Sequence, residues 1–247
     1  MISYIPAQGH APARLFFPFP MQSGLSTLIL FLLVVPALGQ QAYTRLEADF
    51  SVKEKKEDGT LGLTMGRVFY NQAHQRIVYR VDFPEPEVII ATDSVLYRVR
   101  DDSIAAQLPS PNMVSFSVLA LCLRGDMPYF GLDASPYEMA QAEREGELVV
   151  STWSPPEAWQ EFKGDIVVAQ KDRQLHGLIS YGPEGNMLGR QFFRKYVAIQ
   201  GLQVPTEVIA YTYFGEETQT RITTFREPQL NQMTDDTYYL YPVPGLE

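Results

Sequence analysis

Three histidines and one cysteine are all that this 247-residue chain offers to the commonest catalytic and metal-binding chemistry. His10 falls in the leader, which leaves His74 and His176, one in a turn and one in a hairpin strand. The chain has no HExxH, no CxxC, no calcium-binding loop and no Cys/His spacing of the zinc kind, so no metal and no cofactor is expected. It also lacks a P-loop, a GxGxxG and a GxSxG. Cys122 lies in the apolar run Val118-Leu119-Ala120-Leu121-Cys122-Leu123, where a thiol behaves as a small core hydrophobe. Glu143, Glu145 and Glu147 read as a solvated face rather than as paired catalytic acids. A secreted hydrolase would need His74 or His176 beside a Ser or Asp in a cleft. Without a motif to suggest one, the chain is expected not to be an enzyme.

The charge balance points the same way. Lys plus Arg number 20 against 29 Asp plus Glu, a net charge of -9 that opposes a phosphate backbone, so nucleic acid is excluded as a partner class. At 45% hydrophobic residues the chain can bury a sizeable core.

Any site must therefore be built from apolar surface, and the elements that could build it begin after an export signal. Residues Leu25 to Leu38, LSTLILFLLVVPAL, have the length of a signal-peptide apolar region and are short for a membrane span. Ala37-Leu38-Gly39 places small residues where a signal peptidase reads them, so cleavage is expected before Gln40. This gives a leader and signal peptide over 1–39 and a single exported domain over 40–247. Met21 is a second candidate start.

Beyond the signal, Leu46, Ala48, Phe50 and Val52 alternate with polar residues, the period of a strand with one buried face. Leu61 to Tyr70, Ile77 to Phe83, Val88 to Ala91 and Val95 to Val99 continue the series, with Lys53 to Asp58 as a solvated hairpin tip. Strands return at Leu148 to Trp153, Ile166 to Gln170, Leu175 to Tyr181, Met187 to Tyr196, Leu202 to Tyr213 and Thr218 to Phe225. Between the two series, Met113, Phe116, Leu119 and Leu123 fall at helical spacing within Pro109 to Arg124. Ser135-Pro136-Tyr137-Glu138 looks like a helix cap, which predicts a second short helix over Pro136 to Arg144. The fold class expected is mainly β: a large curled antiparallel sheet of about eleven strands, interrupted once by short helices.

From Gly66-Arg67-Val68-Phe69-Tyr70 through Asp93-Ser94-Val95-Leu96-Tyr97-Arg98-Val99 the chain resembles the LolA family, the periplasmic carriers of outer-membrane lipoproteins. Pro84 occupies the proline that ends the family's aromatic strand, and Leu96-Tyr97 stands where Leu-Trp is usual. The strand Ala48-Asp49-Phe50-Ser51-Val52-Lys53 is similar to the family's opening strand, and Asp236 to Gly245 to its closing element. The family's Arg-Pro pair, whose arginine latches the lid, is replaced by Asn71-Gln72-Ala73-His74. The resemblance implies an unclosed barrel with a helical lid and a cavity for acyl chains.

The function expected is thus a periplasmic carrier that binds the acyl chains of lipoproteins or lipids and moves them to the outer membrane. An inner-membrane exporter and an outer-membrane receptor are the implied partners, and a monomer is expected. The alternative is an envelope adaptor or sensor on the same fold, binding a protein through an exposed edge strand. Phe50, Phe69, Tyr79, Val81, Phe83 and Leu96 are the expected cavity residues, and Met113, Phe116 and Leu119 the expected lid contacts.

Overall fold

The computed structural model describes residues 43–55, 59–215, 217–233 and 236–246. The expected leader, signal peptide and cleavage site, and residues 56–58 of the expected hairpin tip, lie outside the described residues. Thirteen strands form one antiparallel sheet: β1 (Arg45–Lys55), β2 (Leu61–Asn71), β3 (Arg76–Phe83), β4 (Glu87–Ala91), β5 (Val95–Arg100), β6 (Ser103–Pro109), β7 (Glu138–Glu145), β8 (Leu148–Ser154), β9 (Ile166–Lys171), β10 (Gln174–Tyr181), β11 (Met187–Ile199), β12 (Leu202–Phe214) and β13 (Glu217–Leu230). Their order is β6-β5-β4-β3-β2-β1-β13-β12-β11-β10-β9-β8-β7, so the first and last strands of the chain meet in the middle and β6 and β7 are the free edges.

Residues 110–137 run between those edges and carry the helix α1 (Val118–Arg124). Ser117 caps it by accepting from the Ala120 N–H at 3.2 Å, and Gly125 ends it in the left-handed conformation, φ 80°. Five consecutive residues, Leu119 to Leu123, are buried, which only a helix covered on every side can show. This crossover packs with the inward rows of β1 to β3 and β8 to β13 into the main core, which contains Phe50, Val81, Leu121, Val168, Phe193 and Phe225. Each buried leucine of α1 contributes about 2 kcal/mol. Cys122, 1% exposed, belongs to that core, and burial pushes its thiol up to about 12.

The opposite face of β2 to β5 has its own cover. Phe69, Val78, Ile90 and Val99 are buried beneath a C-terminal strap, with Tyr239 and Val243 pressed into them. The Tyr239 hydroxyl donates to Glu47 Oε2 at 2.9 Å, and Arg67 holds the other carboxylate oxygen at 2.7 Å. Arg45 stacks on the Tyr239 ring at 4.7 Å and pairs with Asp236, while Phe69 and Tyr238 stack at 5.0 Å.

Two expected helices are corrected, and the strand number is extended. Residues Pro136 to Arg144 are not helical: Glu138–Glu145 is the edge strand β7, joined to β8 through Gly146 at φ 62°. A helix of nine residues is marginal alone, whereas the open side of β8 offers a complete ladder. The helix expected over Pro109 to Arg124 starts only at Val118, because Asn112 takes φ 59° and Asp93 fixes Ser115 in a turn. The sheet also has thirteen strands rather than about eleven: β6 and β7, the two edges, are the additions.

Because every pairing is antiparallel, the hairpins fall on two rims. The turns at Gln75, Asp93-Ser94, Gly146-Glu147, Asp172-Arg173 and Gln200-Gly201 share one rim and are short and polar. The other rim carries the ends of β1, β3, β5, β8, β10 and β12 and the starts of the strands that follow them.

Candidate ligand cleft

The structure divides the expected cavity residues between two faces. Phe50 and Val81, 3% and 2% exposed, lie in the main core with Tyr79 packed against them, its ring edge-on to Phe50 at 5.4 Å. Burial pushes the Tyr79 hydroxyl up to about 12, with Arg221 opposing. Leu96 pairs with Ala91 of the same core and with Leu108 of the edge strand. Phe69 is on the other face, under the strap: its cross-strand partners are Glu47 and Val78, not the row of Phe50 and Tyr79. Phe83 leaves the row as well, because a register shift between Met65 and Gly66 sets it opposite Met65, and it is 44% exposed.

Of the lid residues, Leu119 is buried in α1, Met113 packs against the main core, and Phe116 is 39% exposed. Phe116 opens onto a cleft of about 700 Å³ between the crossover and the start of β9. Phe116, Phe130, Leu132, Tyr137, Trp159 and Ile166 supply its apolar walls. Ser115, Arg124, Asp126 and Lys163 supply the polar ones. Phe116 and Phe130 stack at 6.1 Å, and Phe130 reaches the core ring of Phe193 at 5.9 Å. Such a volume lies within the usual range of ligand sites, which are mainly apolar with a few polar groups.

Local turn chemistry positions these walls. Phe130 at φ 56° and Gly131 at φ 73° turn the chain back over α1, and a Cβ on Gly131 would stand 3.0 Å from Leu121 Cδ2. Arg124, just past the buried stretch of α1, donates from Nη2 to the Ser115 carbonyl and from Nε to Asp126, both at 2.7 Å. Asp93, in the turn between β4 and β5, accepts from Ser115 N–H at 2.7 Å and from its hydroxyl at 2.6 Å. The crossover is thus tied to the sheet by a carboxylate and to itself by an arginine. Lys163 stands over the Trp159 ring at 4.8 Å, and the Tyr137 hydroxyl, raised by burial and then by Asp165, donates to the Gly164 carbonyl at 3.3 Å.

Chemically the cleft can bind an apolar group and orient a polar one. Among the described residues no group of three or more His, Cys, Asp or Glu side chains is placed to hold a metal. The sequence pattern does not reveal Phe130, Leu132, Tyr137 and Ile166 as a common wall, since three of them sit in turns without periodicity. The dense run Met127-Pro128-Tyr129-Phe130 was the available signal.

No family model matches the chain, and no curated protein matches it by sequence. Solved structures do match in fold. A LolA superfamily protein from Nitrosomonas europaea superposes with a TM-score of 0.54 at 11% identity, covering 79% of this chain and 90% of that one. A DUF1329 family protein from Desulfovibrio piger gives 0.53 at 8% identity, covering 81% and 91%. A domain described as an outer membrane lipoprotein-sorting protein from Vibrio parahaemolyticus gives 0.53 at 11% identity, covering 80% and 90%.

Proposed function

From this LolA-like fold we propose that the protein is a periplasmic carrier, holding acyl chains of a lipoprotein or lipid in the cleft beside the crossover and moving them to the outer membrane. The observation that supports it is the cleft itself, about 700 Å³ with six large apolar walls on a crossover that is separately latched. A buried acyl chain gains about 0.8 kcal/mol per methylene, so a tail of ordinary length is held without any polar contact. Lys163 and Ser115 stand where a headgroup or a peptide carbonyl would emerge. Release follows when a receptor competes for the same tail, and the crossover is the element whose packing the tail exchanges with. The named neighbour in lipoprotein sorting has the same fold, which is consistent with this role. Native mass spectrometry of protein purified from the envelope without detergent tests it. A bound mass matching a lipid or acylated peptide, lost in Phe116→Glu, is the expected outcome; a bare mass that stays bare when lipids and lipopeptides are offered would overturn it.

One observation favours a second role, an adaptor that accepts a partner strand. The edge strand β6, SIAAQLP, is exposed along nearly its whole length and carries no charge, whereas the edge β7 is guarded by Glu138, Glu143, Arg144 and Glu145.

A further inference from the structure

The two rims of the sheet differ in a way that the cleft does not explain. On the rim formed by the β1–β2, β3–β4, β5–β6, β8–β9, β10–β11 and β12–β13 connections, large apolar side chains stand in water at every connection but the β5–β6 turn, which is Asp101-Asp102. Leu61 is 79% exposed, Phe162 76%, Phe214 54%, Phe83 44%, Leu188 44% and Met187 37%. The short turns of the opposite rim carry His74, Gln75, Asp93, Ser94, Asp172 and Arg173 instead. A soluble protein leaves single apolar residues exposed at random, but their concentration on one rim marks an interaction surface.

We propose that this rim seats on the surface of a neutral lipid bilayer, with the six side chains inserted as separate anchors. From β3 to β9 the sheet order passes seven strand spacings, about 34 Å at the usual separation, with polar residues between the anchors. A folded partner needs a continuous dry patch to seal against. Fluid hydrocarbon accepts isolated side chains wherever they enter. Trp159, 36% exposed beneath Lys163, lies on the same rim, and tryptophan favours the headgroup layer. Glu157, Glu161 and Glu184 stand among the anchors beside Lys55 and Lys163, and Glu85 is paired with Arg100 at 3.0 Å, so the rim has no excess of positive charge to draw anionic headgroups and the surface sought is zwitterionic. The rim is also where the start of β9, one wall of the cleft, comes to the surface, but the docking follows from the anchors whether or not the cleft holds a tail.

Flotation of the purified protein with phosphatidylcholine vesicles tests the proposal. The expected result is that the protein floats with the vesicles and that the fluorescence of Trp159 shifts to the blue. Phe162→Glu with Phe214→Glu, both at exposed positions, lowers partitioning about tenfold or more. Val149→Glu with Val197→Glu, 38% and 37% exposed toward the other rim, leaves it unchanged. Adding phosphatidylglycerol does not strengthen the binding. Thermal melts and circular dichroism of both double variants confirm that each is folded. Absence of flotation, flotation indifferent to the rim substitutions, or binding that requires the anionic lipid overturns the proposal. Mass measurement of bound lipid in vesicle-free solution reports on the cleft separately, so the two ideas fail independently.

Discussion

The crossover on one face of the sheet and the C-terminal strap on the other cover neighbouring parts of the same strands by different chemistry. The crossover is held by burial: Leu119 to Leu123 are apolar and enclosed, and its polar ties, Asp93 to Ser115 and Arg124 to Asp126, lie where it leaves the core. The strap is held by a tyrosine, a buried carboxylate and two arginines. Apolar contacts of the first kind are non-directional and can be exchanged for a ligand's methylenes. A network of the second kind works only while every partner is present. The difference teaches that, for the proposed carrier, the cover whose contacts a ligand can replace is the apolar crossover, while the strap is tied to its sheet by partners that a ligand cannot supply.

The largest effect is expected where burial alone acts. Leu121→Ala, at a fully buried site, should lower stability by about 3 kcal/mol in urea unfolding, with little dependence on pH. Tyr239→Phe should cost about 1–2 kcal/mol at neutral pH, since Glu47 loses one of its donors. Its signature is alkaline. Burial first, then the bond to Glu47, raises the Tyr239 pKa, so the contribution is complete below the ordinary tyrosine value and is lost as pH rises beyond it. The wild type should therefore lose stability above about pH 10 more steeply than Tyr239→Phe, as thermal melts across that interval would show. Tyr79, with a folded value of about 12, adds to the alkaline loss in both proteins. Asp93→Asn should cost about 1 kcal/mol and increase hydrogen exchange across residues 112–117 while leaving the strap protected. Equal exchange at crossover and strap would erase the contrast between the two covers. The smallest effect belongs to Phe116→Glu, which should change stability by less than about 0.5 kcal/mol and act on bound ligand alone.

Much of the sheet was legible because half-buried strands alternate. Phe50, Tyr79 and Val81 share the inner row that their period of two assigns them. The same pattern failed at Val68-Phe69-Tyr70, where all three residues are buried because both faces are covered there. No alternation survives under two covers, so the face of Phe69 could not be chosen from sequence. Phe83 was lost to a bulge, which shifts a register without leaving a mark in composition. The edge strands β6 and β7 were missed for the opposite reason: exposed nearly throughout, they carry at most the weak alternation of Ile104, Ala106 and Leu108.

By itself the sequence determined the inner strands, the break between the two series and the apolar character of α1, since each follows from local periodicity and burial. Only the tertiary structure decided that β1 and β13 pair, that the edges extend the sheet to thirteen strands, and that the cleft is walled by turns 110–137 and the start of β9. Those features depend on contacts between residues far apart in the chain. Such contacts form once the backbone groups and apolar faces of the central strands demand partners, and no short window of sequence records that demand.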